Sequence, residues 1–527
     1  MTTAQRQTLT SQSPSVVGAL PPGMEVQSLR PPTGAPLPHW LWPAAIVLAM
    51  LGLVSANPML TAVGILAGPL LVTLLWRSGE PPILLACCLM QWLQVMVPIF
   101  YADLVGNSLS LESMELGSDR SVVTFNTSGF SNQAKATWLS LVGILAMAVG
   151  MRLALKHRLG SAASQIEREL KELSLPRIFY AYLAGFGLSS VCNTAAWYLG
   201  GLAQLVLAVG ALKWVMLWIL FCCAFVQAKG YRFVLVALAL EVGVGFLSFF
   251  ASYKEAFFML GIAMFSVRGK LSTRVRLGLG CAVAGLLCMM IFWQAVKMEY
   301  RFFLSGGTAS YSTGMSVGER VRKLEQLLAS LDAETIEIGI GSLVARVGYT
   351  ELFAATLEWV PANEPHAGGE LWKRAVLHPF MPRLLFPNKE ALDDSLLTRR
   401  FTGLAVSGSE SGTSIGIGFM AESYADLGPT LMFLPLLLLG YVFGRVYRAF
   451  SGNPASMVWG AALATGVFLT TMRGVETSGV KLLGGMLTTG LVMFAIDRCF
   501  GREIFKFLRG GKQTERGRVG AGANGTA

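Results

Sequence analysis

The sequence predicts an all-α, polytopic integral membrane protein with about twelve transmembrane helices and one large loop. Three observations predict it. Hydrophobic runs recur from Leu41 to Arg498. Residues 297 to 429 are long, polar and rich in both signs of charge. The chain is 53% hydrophobic and only 14% charged, with a mean hydropathy of +0.56, which excludes a soluble domain needing a charged surface to stay dispersed.

An apolar helix needs about 20 residues to cross the hydrocarbon core, because a helix satisfies its own backbone hydrogen bonds there. Residues 41–57, 59–76, 82–103 and 134–154 are the first such windows. The others are 178–196, 199–227, 232–251, 254–267, 277–296, 430–447, 455–472 and 480–497. The 254–267 window is short and open to a re-entrant reading, and 199–227 is long enough to join an interfacial helix to a crossing. Gly64 and Gly68 suit close helix packing.

A net charge of +11 raises the question of nucleic acid, but its distribution answers otherwise. Short basic connectors carry it: Lys156 and Arg158, Lys229 and Arg232, Arg268 to Arg276, Arg445 and Arg448, and the tail from Arg502 to Arg518. Such alternation is what the positive-inside rule expects. It places both termini in the cytoplasm and the large loop on the external side.

Five regions follow: a disordered cytoplasmic tail at 1–38, a transmembrane bundle at 39–296, the periplasmic loop at 297–429, further transmembrane helices at 430–498, and a basic cytoplasmic tail at 499–527. The interval 104–133 reads as a second, polar cap. Residues 161–175 read as an amphipathic helix lying on the membrane surface. The eight cysteines lie in or beside apolar segments, so no disulfide framework or metal site follows from them.

Inside the bilayer an ionisable residue costs a few kcal/mol, roughly, unless paired or hydrated. Lys213 and Glu241 stand at mid-depth and can neutralise one another on facing helices, either as a structural tie or as a proton-coupling pair. In the loop, 316–331 and 341–360 read as helices, and 370–377 as a third. Three prolines in His378-Pro-Phe-Met-Pro-Arg-Leu-Leu-Phe-Pro-Asn-Lys389 forbid regular helix and hold Arg383 and Lys389 in a stiff segment. A Gly/Ser-rich turn, 408–418, leads into Glu422.

The run from Gly369 to Gly428, with HPFMPRLLFPNK and then GTSIGIGFMAESYADLGP before an apolar crossing, resembles the catalytic loop of bacterial oligosaccharide repeat-unit polymerases of the Wzy and O-antigen polymerase type. The resemblance covers about sixty residues closely; the many-helix layout extends it loosely. It implies a polymerase of polyprenyl-diphosphate-linked oligosaccharide units in exopolysaccharide or O-antigen biosynthesis. Such an enzyme is a glycosyltransferase that works on membrane lipid, beside chain-length regulators or export proteins, without nucleotide or other cofactor. A flippase of the same lipid-linked sugars, or an O-antigen-type ligase, are the alternatives. The His-Asn motif associated with ligases is not seen.

That chemistry needs cations for a diphosphate leaving group and a base for the incoming hydroxyl. Arginine suits the first task through its planar fork. Arg383, Arg346, Arg399 and Arg400 are candidates, with Lys389 and Arg473 as secondary cations. His378, Glu370 and Glu422, with His366, are candidates for the base. His366 and Glu370 stand at i, i+4, but Gly368-Gly369 between them argues against a helical zinc site, and no metal is expected.

Overall fold

Backbone hydrogen bonds inside an apolar solvent must be closed locally, and the described residues meet that demand with helices. The computed structural model describes residues 37–77, 80–105, 130–155, 162–247, 253–267, 273–305, 315–381, 385–386, 389, 392–408, 414–453, 456–472 and 474–510, and no strand occurs among them. Outside the described residues lie the N-terminal tail as far as 36, most of the 104–133 interval, Arg268 to Ser272, Arg383, Arg473 and the tail beyond 510.

The helices are α1 (Leu41–Gly52), α2 (Pro58–Leu75), α3 (Ile83–Val105), α4 (Phe130–Ala154), α5 (Ala162–Glu172) and α6 (Leu175–Ala196). Then come α7 (Ala203–Gly210), α8 (Leu212–Gln227), α9 (Tyr231–Leu247), α10 (Lys254–Ser266) and α11 (Thr273–Leu304). The interval after α11 holds α12 (Val317–Ala329), α13 (Ala333–Val347), α14 (Thr350–Trp359), α15 (Glu370–Leu377), α16 (Asp394–Thr402) and α17 (Gly418–Leu431). The chain closes with α18 (Phe433–Ser451), α19 (Met457–Thr471) and α20 (Gly479–Arg509).

Among the described residues seven helical spans are long and apolar enough to cross a membrane. They are Pro58–Leu75, Ile83–Val105, Asn132–Ala154, Gly200–Gln227, Leu277–Leu304, Phe433–Ser451 and Gly479–Arg509. The difference from the twelve windows of the sequence has a physical origin. The window 41–57 contains a turn at 53–57, so α1 keeps only 12 residues. At 1.5 Å per residue that is roughly 18 Å, against about 30 Å of hydrocarbon. α19 has 15 residues and α10 has 13. The expected loop helix at 341–360 divides in two, because Gly348 ends α13 and Tyr349 precedes α14. The helix expected at 316–331 forms as α12, opened by a capping box in which Ser316 and Glu319 bond each other's backbone amides.

Contacts between helix ends sort the bundle into two ends. Ser174 N donates to Leu508 O, Arg448 Nη1 to Ala154 O, and Gln227 Nε2 to Leu170 O, so the C-terminal ends of α4, α8, α18 and α20 share one end with α5 and the start of α6. α5 docks there with Ile166 and Leu170 buried, as is Leu173 just beyond it, and its Glu169 accepts from Ser456 Oγ at 2.8 Å and Val458 N at 3.1 Å, capping α19. At the opposite end Asp103 at the end of α3 accepts from Asn57 at the start of α2. There too Gln133 of α4 donates to Thr350 of α14 at 2.8 Å, and Gln94 of α3 to Glu476 at 2.9 Å.

Small residues let the membrane helices approach. Gly64 lies under Met96 and Gly68 under Trp92, whose Nε1 donates to Gly64 O at 2.7 Å. Closest are α4 and α18: a methyl group at Gly440 would overlap the Met147 carbonyl, and one at Gly150 would overlap that of Leu437. Gly187, by contrast, has open space beside it. Gly440→Ala should therefore destabilise the solubilised protein by about 1–3 kcal/mol, seen as a lower Tm, and Gly187→Ala should leave Tm unchanged. Equal Tm values for the two variants would show that the α4–α18 contact is looser than described.

Candidate functional site

A cap of short helices sits at the end of the bundle opposite the basic connectors, and its geometry follows from α17. Pro429 has no N–H and Gly428 adopts φ +75°, so the helix kinks there and the carbonyls of Ala425 and Asp426 lose their partners four residues on. The turn before α15 takes them: Ala367 N donates to Ala425 O at 3.0 Å and Gly368 N to Asp426 O at 2.8 Å. Gly368 and Gly369, both at positive φ, make this turn possible. The Asp426 carboxylate then caps α15, accepting from Gly369 N at 2.8 Å, Leu371 N at 3.1 Å and Trp372 N at 3.0 Å. Trp372 Nε1 donates to Ser423 Oγ at 3.1 Å, and His366 packs edge-on against Tyr424.

Two backbone stretches meet beneath α15. Residues 414–419 run beside 474–479, with Phe419 N donating to Thr477 O at 2.9 Å. Gly418, at φ +83°, leaves no room for a methyl group against the Val475 carbonyl. The starts of α17 and α20 are thereby brought together, and Glu422 joins them: its Oε2 accepts from Gly479 N at 2.7 Å. Tyr349 OH accepts from Ala421 N at 3.1 Å on the same side. Asp394 Oδ2 pairs with Lys481 Nζ at 2.8 Å, and the same ammonium donates to Ser414 Oγ at 2.8 Å. Ser395 and Thr398 of α16 hold residues 407 and 415 against that helix, Ser395 Oγ donating to Ser407 O and accepting from Ile415 N, and Thr398 Oγ1 donating to Ile415 O.

Glu422 is buried. Burial pushes its carboxyl from the ordinary 4.5 up to about 8; the Gly479 amide pulls it down, Asp394 and Asp426 push it further up, and the Arg374 guanidinium opposes them. A carboxyl of this kind exchanges a proton near neutral pH, which is the property asked of a general acid or base.

The other residues singled out from sequence are dispersed around this centre. Glu370 is exposed in the first turn of α15 and pairs with Lys373 at 3.3 Å. His378 opens a 3-10 turn packed on α20, and its carbonyl, with that of Met381, accepts from Lys389 Nζ at 2.6 and 2.7 Å. Arg399 Nε donates to Val406 O at 2.8 Å, whereas Arg400 pairs with Glu364 at 2.6 Å and lies over Phe401. Arg346 is exposed in the last turn of α13. Arg383 and Arg473 lie outside the described residues. Among the described residues no group of three or more His, Cys, Asp or Glu side chains could hold a metal ion.

Sequence reading missed Asp394, Asp426, Arg374 and Lys481. Asp426 carried a usable signal, since it stands at i+4 from Glu422 on one helix face. Asp394 and Lys481 are 87 residues apart in the chain, by the difference of their numbers, and nothing local links them.

The pH dependence of stability tests the burial of Glu422. A folded-state value near 8, above the ordinary 4.5, means that folding favours the protonated carboxyl. The stabilisation is complete below the lower value and lost as pH rises through the higher one. Wild type should lose Tm from about pH 5 to about pH 9 relative to Glu422→Gln, which carries no titrating group there. Parallel Tm curves for the two proteins would place Glu422 in contact with solvent.

No curated protein and no solved structure matches this chain. A family profile described as a domain of unknown function matches residues 82–487, from the start of α3 into α20. That stretch holds both the membrane helices that bear the cap and the whole of the cap itself, and the chain therefore belongs to the DUF8712 family.

Proposed function

We propose that the protein polymerises polyprenyl-diphosphate-linked oligosaccharide repeat units in bacterial exopolysaccharide or O-antigen biosynthesis. The observation that carries the reading is the buried Glu422 carboxyl at the N-terminus of an apolar span, beneath a cap that also brings Arg374 and the Asp394–Lys481 pair to that place. Such a position suits a substrate whose lipid lies in the membrane and whose glycan lies in water.

In the reaction, a hydroxyl oxygen of the incoming unit bonds to the anomeric carbon of the donor glycan. The carbon–oxygen bond to the carrier breaks, and polyprenyl diphosphate leaves with its electron pair. Ionised Glu422 accepts the hydroxyl proton. The leaving diphosphate needs cations, for which Arg374 and the arginines at 346, 383, 399 and 400 are the candidates. The helix N-terminus at Gly479 adds backbone dipoles of the sign that favours anions.

The alternation of helix ends supports twelve passages between the two ends of the bundle, the short α1, α10 and α19 counted with their flanking residues, with α7 and α8 forming one broken crossing and α5 and the cap helices α12 to α17 none. The basic connectors then face the cytoplasm of the inner membrane and the cap faces the periplasm. Reporter fusions after Lys156, Arg274 and Arg502 should read cytoplasm, and fusions near Asn126 and Asn388 should read periplasm. A cytoplasmic signal at Asn388 removes the proposed site from its substrate.

Deletion of the gene should leave surface glycan as single repeat units. Glu422→Gln, expressed to wild-type abundance in the membrane, should lower the polymerisation rate by about 10²–10⁴-fold, the scale of a lost general base. Full-length glycan retained on its lipid carrier after deletion would instead mark a ligase.

A further inference from the structure

A second polar site lies within the membrane helices. The span Gly200–Gln227 is broken where α7 ends at Gly210 and α8 begins at Leu212, and Lys213 follows the break. Its Nζ pairs with Glu241 Oε2 of α9 at 3.0 Å and lies 4.1 Å from the centre of the Trp214 ring. Tyr182 OH of α6 donates to Glu241 Oε1 at 3.0 Å. Gly185 allows the approach, since a methyl group there would stand 3.3 Å from Lys213 Cα. Ten residues separate Tyr231 from Glu241 and Leu175 from Gly185, so at 1.5 Å per residue both lie roughly 15 Å from the basic end, near mid-depth.

A structural tie would be closed over by apolar side chains, as a buried pair gains little for stability. This pair instead borders a cavity of about 650 Å³. Its walls add Ser189, Ser190, Asn193, Phe186 and Trp197 to the two charges. Ser190 Oγ donates to Phe186 O, whereas the Asn193 carboxamide has no hydrogen bond among the described residues and is exposed. Around Trp197 the surface is apolar and open, with Trp197 79% and Tyr198 85% exposed beside Leu199, Leu205 and Leu207.

We propose that this cavity binds an uncharged glycosyl head, carried by a lipid whose chain lies along the apolar surface at Trp197. The charges of Lys213 and Glu241 cancel, so the site offers donors and acceptors without a net field for a free cation or anion. Hydroxyl groups of a sugar can use both partners at once, the Asn193 amide supplies a further donor and acceptor, and the Trp197 and Phe186 rings present faces to its C–H groups. The volume falls in the range of small-ligand sites. The broken crossing beside it is the kind of backbone that membrane proteins tolerate where a cavity is lined. The assignment stands on the cavity and does not depend on the chemistry proposed at the cap.

The test uses the full chain in a sugar-free polyoxyethylene detergent, titrated by native mass spectrometry with dodecyl maltoside, maltose or dodecylphosphocholine. Dodecyl maltoside should form a saturable one-to-one adduct. Asn193→Leu, on the exposed wall, should weaken it at least about tenfold with Tm unchanged, and the charge-neutral double variant Lys213→Met with Glu241→Leu should abolish it. Maltose binding as tight as the maltoside's upholds the glycosyl site and assigns it to soluble sugar. Equal binding of dodecylphosphocholine, or maltoside binding indifferent to Asn193→Leu and to the double variant, overturns the proposal.

Discussion

The carboxyl of Glu422 fastens the cap to the membrane bundle, and the arrangement of both depends on it. Its hydrogen bond to Gly479 N ties the first turn of α17 to the first turn of α20. The bond forms because the glycine at 418 lets two backbone stretches run side by side. Once α17 is fixed, its kink at Gly428 and Pro429 exposes two carbonyls that dock the turn before α15. Asp426 then starts α15, and α15 covers Glu422. The burial that raises the carboxyl's proton affinity is thus produced by the same contacts that position it.

Helix starts recur at this centre, and acidic groups are spent on them in two ways. Asp426 gives its whole carboxylate to three amides of α15, a charge-assisted cap worth roughly 0.5–2 kcal/mol. Glu422 meets one amide, and its burial, with Asp394 and Asp426 nearby, outweighs both that helix start and the Arg374 guanidinium. Two carboxyls one turn apart on α17 therefore differ in role: one is a structural acceptor and the other a proton-exchanging group.

The broken apolar span of α7 and α8 shows the same economy away from the cap. A lysine there would cost roughly a few kcal/mol on a continuous lipid-facing helix, yet Glu241, itself held by the Tyr182 hydroxyl, and the Trp214 ring satisfy it. α20 packs on α7 along its course, so one helix borders the broken crossing and begins at the cap.

The sequence by itself determined the helical class, the membrane-crossing character and the polar interval that becomes the cap, because each depends on local composition over about twenty residues. Glu422 was legible as an acid entering a helix, and Lys213 with Glu241 as charges that needed partners. Helix limits were less legible: apolar windows do not show where a turn at 53–57 shortens α1 or where Gly210–Leu212 breaks a crossing. Only the tertiary structure decided that Asp394 meets Lys481, that Glu370 faces outward while Glu422 is enclosed, and that a cavity opens beside Lys213. These properties arise from contacts between segments remote in the chain, and burial, which sets the chemistry of a carboxyl, is a property of those contacts and of no single stretch of sequence.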